Sequence, residues 1–134
     1  MDDIAPDGSP VAVYLALPAA VDIARIRSVL PTGASVLDLG SGPGRIAAPL
    51  VAAGHTVTAV DDSPAMLAHV IGAETVLGDV WSLGDTSWTQ HFVAAIVDDT
   101  ELASLAAASD LAVLRTLDAD GAWVLLGAGR LGAV

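Results

Sequence analysis

Seven residues, Asp38-Leu39-Gly40-Ser41-Gly42-Pro43-Gly44, place one carboxylate and three glycines where chemistry is expected. Glycines at alternate positions allow a tight turn and close approach of backbone to a ligand. The run lies between a predicted strand and a predicted helix, the context that gives a glycine loop meaning. The helix start offers N–H groups and a positive dipole end to a carboxylate or phosphate. Its spacing is G-x-G-x-G. A dinucleotide fingerprint would need its third glycine at position 45, which is Arg45. Asp38, two residues before the first glycine, would repel a pyrophosphate and suits a cationic amine. A P-loop is excluded, because no Gly-Lys-Ser/Thr follows and the chain has no lysine. Other acids stand at predicted strand ends: Asp61, Asp79 and the pair Asp98-Asp99. His55 and His91 precede predicted strands, at the opposite end of the sheet, and His69 falls late in a helix, so none is a convincing base. With no cysteine, thiol catalysis and thiolate metal sites are excluded, and no metal site is assigned.

The elements that must position these residues follow from periodicity and punctuation. Residues 1–9 read as a flexible tail. Ser9-Pro10 reads as a cap and first helical residue for a helix over 10–17. A second helix over 19–30 places Ile23, Ile26 and Leu30 on one face. Strands are expected at 35–39, 56–61, 74–77, 92–97 and 122–126. Helices are expected at 45–53, bent or restricted by Pro49, at 64–70 behind Ser63-Pro64, and from a Thr100 cap to about 117. Strands alternating with helices predict βαβ units. The expected fold is α/β: a Rossmann-like doubly wound parallel sheet of about five strands, order 3-2-1-4-5, with helices on both faces and one domain over 10–134. Ligands of such sheets bind beyond the carboxyl ends of the strands, where the acids would gather on one rim.

The composition agrees with one globular domain. The chain has 134 residues, 54% hydrophobic and 16% charged, which argues against disorder. Aromatics are only 4%, so the core must be built from Ala, Val and Leu. The net charge is −11, and all five bases are arginine. That excludes a basic face for nucleic acid and disfavours anionic membranes. Met1-Asp2-Asp3 has the wrong charge for a signal peptide, and the longest uncharged stretches fall short of a membrane span. A cytoplasmic protein is the expectation.

The run 38–44 resembles the first motif of the class I S-adenosylmethionine-dependent methyltransferases. Val57–Asp61 followed by Ser63-Pro64-Ala65-Met66-Leu67 resembles their second strand, ribose-binding acid and next helix. Gly78-Asp79-Val80 resembles the end of their third strand, and Asp120-Gly121-Ala122-Trp123 their turn into the fifth. The resemblance implies S-adenosylmethionine as cofactor. It implies that Gly40, Ser41, Gly42 and Gly44 form the floor under its methionine part and that Asp38 faces its amino group. It implies Asp61 on the ribose hydroxyls, Asp79 on the adenine amino group, and Val80 or Trp81 beside the ring. Asp62 stands where the family often has an apolar residue against adenine, with Met66 as the residue that would supply that contact. An acidic rim favours a cofactor carrying a sulfonium and an ammonium. Asp98 and Asp99 are the acids best placed for catalysis, and they also read as a cap for the following helix. Tyr14 reads as simple packing or as cover over the cofactor.

Family sheets usually have seven strands, and the chain stops just after the fifth expected here. The sixth and seventh are therefore expected to be missing, and the fifth-strand edge is left open to a homodimer. The expected function is methyl transfer to a small-molecule acceptor. The alternative is a noncatalytic cofactor-binding or interaction protein on a truncated methyltransferase core.

Overall fold

The computed structural model describes residues 3–78 and 98–128. The chain divides into two compact units, Met1–Gln90 and His91–Val134.

The first unit carries three parallel strands, β1 (Ser35–Leu39), β2 (Thr56–Asp61) and β3 (Glu74–Leu77), hydrogen-bonded in the order β1-β2-β3. All three fall where the sequence pattern places them. The register sets Asp38 beside Ala59, with Asp61 two residues further along β2. Val36 and Asp38 on β1, and Val57, Ala59 and Asp61 on β2, therefore share one face. That face is covered by α2 (Ala20–Arg27) and α3 (Ala47–Ala52). Ala47, Leu50, Val57 and Ala59 form the buried centre, and Ile23, Ile26, Leu30, Val36 and Ile46 pack around it. The helical face expected from Ile23, Ile26 and Leu30 is thus the one turned to the core. With so few aromatics, small residues let helix and sheet approach closely, and Leu50 is the largest apolar side chain fully enclosed.

The helices of this unit are all shorter than expected. α3 begins at Ala47 rather than at 45, which leaves Pro49 in the first turn, where its missing N–H costs no helical bond. α1 (Val11–Ala16) is capped by Pro10, without a side-chain bond. Ser9 turns back instead: its N–H and hydroxyl both donate to Asp7, at 2.9 Å each. These two bonds, the backbone one first, hold the Asp7 carboxyl below its ordinary range. Around them, residues 3–11 close a turn in which Ala5 N donates to Ser9 O and Val11 N to Asp3 O. Ala5 and Val11 then bury Met66 of α4 (Pro64–Leu67). Ser63 caps α4 as the sequence suggests, its Oγ accepting from Met66 N at 3.2 Å.

The second unit departs from expectation. The helix α5 (Asp99–Ala108) does not run to 117. Asp110, at φ +56°, stops it, a left-handed conformation that Asp tolerates. Residues Leu111–Thr116 become a strand, β4, paired antiparallel with β5 (Val124–Ala128). The Leu-Ala-Val-Leu pattern of 111–114 fits either period, and the pairing partner decides it. Trp123 N donates to Asp118 Oδ1 in the connecting turn. Among the described residues the chain therefore holds three parallel strands and a separate antiparallel pair, rather than five parallel strands. The expected strand at 92–97 lies outside the described residues. No helix among the described residues is long and apolar enough to cross a membrane.

Leu50 is 0% exposed at the junction of α3 and the sheet. Leu50→Ala is expected to destabilise the protein by about 2–5 kcal/mol, transfer and cavity terms together, as read from urea unfolding.

Candidate functional site

The site begins at the carboxyl ends of β1 and β2, where the backbone of the glycine loop is wired to β2. Gly40 N and Ser41 N both donate to Val60 O, at 2.9 and 3.0 Å. Gly42 N donates to Asp61 Oδ2 at 2.8 Å, and Ser63 N donates to the other oxygen, Oδ1, at 2.9 Å. One carboxylate thus brackets the loop on one side and the start of α4 on the other. Gly44 N closes the turn on Ser41 O. The amides of Gly40, Ser41, Gly42 and Gly44 are therefore spent on the loop's own shape. The sequence motif could not reveal this, since the donors' partners lie some twenty residues downstream.

Gly40 and Gly42 sit at φ +69° and +55°, conformations that L side chains rarely adopt. A Cβ at either would meet nothing within 4 Å, so both open on free space that a ligand could enter. Gly44, also left-handed, has a different reason to be glycine. A Cβ there would stand 3.4 Å from Val70, so its bareness lets the loop close on the segment after α4. Ser41 is buried, with its hydroxyl donating to Gly42 O at 3.3 Å.

Asp38 stands on β1, two residues before Gly40. Burial pushes its carboxyl above the ordinary range; Arg45 opposes that shift and Asp61 adds to it. Its Oδ2 is buried and has no hydrogen-bond partner among the described residues. A buried carboxylate oxygen without a donor is costly unless a cation supplies one. The donor set that fits is an ammonium. An ammonium here and hydroxyls at the remaining lone pairs of Asp61 would match the two ends of an amino-acid nucleoside.

The other sequence candidates are placed as follows. Met66 is 3% exposed and packs against Ala5 and Val11. Its apolar neighbours come from residues 3–11, which have the sequence character of a tail. Asp62 is exposed. Asp79, Val80 and Trp81 lie outside the described residues. Asp98 accepts from Glu101 N at 2.8 Å and is the cap of α5, with Asp99 in its exposed first turn. Their described contacts are those of a helix start, the second of the two readings that their position allowed. His55, as its position implies, serves the far end of the sheet, where Ala34 N donates to its Nδ1 at 3.1 Å.

One residue gains a role that spacing did not suggest. Arg45 Nη1 donates to Pro18 O and to Asp22 Oδ2, both at 2.8 Å, tying the loop to the start of α2. Between them, Tyr14, Leu15, Leu17, Ala19, Pro43, Gly44 and Arg45 line a cleft of about 260 Å³.

Residues 36–111, more than half of the chain, match the family of the methyltransferase domain. Two solved structures are similar over part of their length. A TehB-like SAM-dependent methyltransferase from Corynebacterium glutamicum is 30% identical, with 50% of this chain and 39% of that one covered and a TM-score of 0.44. A protein from Anabaena variabilis, assigned as a methyltransferase of an antibiotic biosynthesis pathway, is 26% identical, with 48% and 28% covered and a TM-score of 0.44. The match therefore spans well under half the length of either. No curated protein matches the chain.

The unpaired Asp38 has a consequence for stability. Its carboxyl is raised in the folded chain, so the unfolded chain ionises first as pH rises, and folding loses stability through that window. Asp38→Asn is therefore expected to melt higher than the native protein at pH 7, with the difference vanishing below the ordinary carboxylate range. Thermal unfolding from pH 3 to 8 measures it.

Proposed function

The chain belongs to the class I S-adenosylmethionine-dependent methyltransferases, and from that membership we propose that its first unit binds S-adenosylmethionine and directs the methyl group to a small-molecule acceptor. One observation carries the reading: the buried Asp38 Oδ2, without a partner among the described residues, beside a glycine loop whose Gly40 and Gly42 open on free space. When bound, the cofactor supplies a methyl group activated by its sulfonium. The chain's own residues bind and orient. Asp38 receives the ammonium and loses the penalty of its orphaned oxygen. Gly40 and Gly42 let the methionine part lie against backbone. Asp61, already held on both oxygens by Gly42 N and Ser63 N, presents its remaining lone pairs to the ribose hydroxyls at a fixed position.

Positioning is the greater part of the catalysis asked of this site. Methyl transfer is an in-line displacement, and holding the nucleophile in line within about 3–3.5 Å supplies much of the acceleration. A base is required only for a nucleophile that holds its proton tightly. The adenine contacts assigned to Asp79, Val80 and Trp81 remain part of the proposal. The acidity of the chain, net −11, supports an acceptor other than nucleic acid.

Calorimetric titration with S-adenosylmethionine and S-adenosylhomocysteine tests the reading. Both are expected to bind. Asp38→Asn is expected to weaken binding by the loss of one charge-assisted hydrogen bond, about 1.5–3 kcal/mol, although the same variant folds more stably. Asp61→Ala is expected to lose about as much for each ribose bond removed. Equal affinity of native protein and Asp38→Asn would place the amino group elsewhere. Binding without transfer to any acceptor would favour a noncatalytic cofactor-binding protein.

A further inference from the structure

The cleft beside Pro43 and Gly44 has its own chemistry. It shares Pro43 and Gly44 with the loop and is walled by α1 and the turn into α2. Its wall is fixed at both ends. Val11, at the start of α1, is buried against Met66, and Pro18, just beyond its end, is bonded to Arg45. Between these anchors Leu15 and Leu17 remain about half exposed, at 51% and 44%, and Tyr14 is 38% exposed. A segment pinned at both ends that still presents apolar side chains to an open cleft has surface to gain by covering a ligand.

The charges bound what that ligand can be. Both Nη1 hydrogens of Arg45 are directed at the chain itself, one at Pro18 O and one at Asp22 Oδ2, and Asp22 is also 3.9 Å from Arg25. An anion would find this guanidinium already paired and two further carboxylates, Asp38 and Asp61, beyond the loop. The Tyr14 hydroxyl is the polar group left at the mouth. Ser9 Oγ lies 3.5 Å from it, while the Ser9 hydroxyl is drawn more closely to Asp7. The volume, about 260 Å³, is just below the roughly 300–1,000 Å³ of sites for drug-sized ligands and suits one ring.

We propose that this cleft is the acceptor subsite and that it selects a small, uncharged, largely apolar acceptor, oriented by a hydrogen bond to Tyr14. The assignment rests on the cofactor reading above, which places the methionine part on the same loop. Leu15 and Leu17 set specificity by apolar contact, Tyr14 by its hydroxyl, and Arg45 fixes the wall through its bonds to Pro18 and Asp22.

Phenol and benzoate, rings of one size that differ in charge, are the probes. Each is titrated by ligand-observed NMR into the full chain, with saturating S-adenosylhomocysteine and without it. Phenol is expected to bind and benzoate to bind at least tenfold more weakly. Leu15→Asp is expected to weaken phenol at least tenfold, and Tyr14→Phe severalfold, with S-adenosylhomocysteine affinity unchanged in both. Equal binding of phenol and benzoate overturns the proposal. So does phenol affinity that survives Leu15→Asp, or no phenol binding in either state. Failure of the cofactor reading is seen separately, as native protein that takes phenol but gives no heat with S-adenosylhomocysteine.

Discussion

The carboxylate of Asp61 ties the glycine loop to the start of α4. One oxygen accepts the N–H of Gly42 and the other the N–H of Ser63. Both amides stand at points where the chain has just left a strand, and partly buried N–H groups of this kind need acceptors. A charged acceptor makes bonds roughly twice as strong as a neutral one. The glycine loop is therefore not shaped by its glycines alone. Left-handed Gly40 and Gly42 permit the turn, and Val60 O and Asp61 select it.

From that constraint the rest of the site follows. With the loop held against β2, its Cβ positions at 40 and 42 face outward on free space, and Asp38 is left behind it on β1. Nothing in the described loop turns back to bond Asp38 Oδ2, because the loop amides are occupied. The protein thus keeps one buried carboxylate oxygen without a hydrogen-bond partner among the described residues. Such an arrangement costs folding stability and favours ligand binding, a common trade at functional sites. Arg45 moderates it from the far side of the loop while holding α2 in place.

Much of the first unit was legible in the sequence. The three parallel strands fall on the expected residues, since Val36, Val57 and Ala59 sit at the alternate positions of half-buried strands. Ser63-Pro64 caps its helix as read. The departures share one cause, which is competition among partners that residue type alone does not reveal. Ser9 has the type of a cap but bonds Asp7. Residues 111–116 fit a helical period but pair with 124–128.

By itself the sequence determined the glycine spacing, the acid before it, the alternation of strands and helices, and so the family. These are properties of residue type and local period, which one chain carries in its order alone. Only the tertiary structure decided which donors the acids accept. A carboxylate at the end of a strand can cap a helix, clamp a loop or wait for a cation. Asp98 does the first and Asp61 the second, while Asp38 holds a buried oxygen without a partner among the described residues, because burial and the nearest N–H, not residue type, fix the outcome.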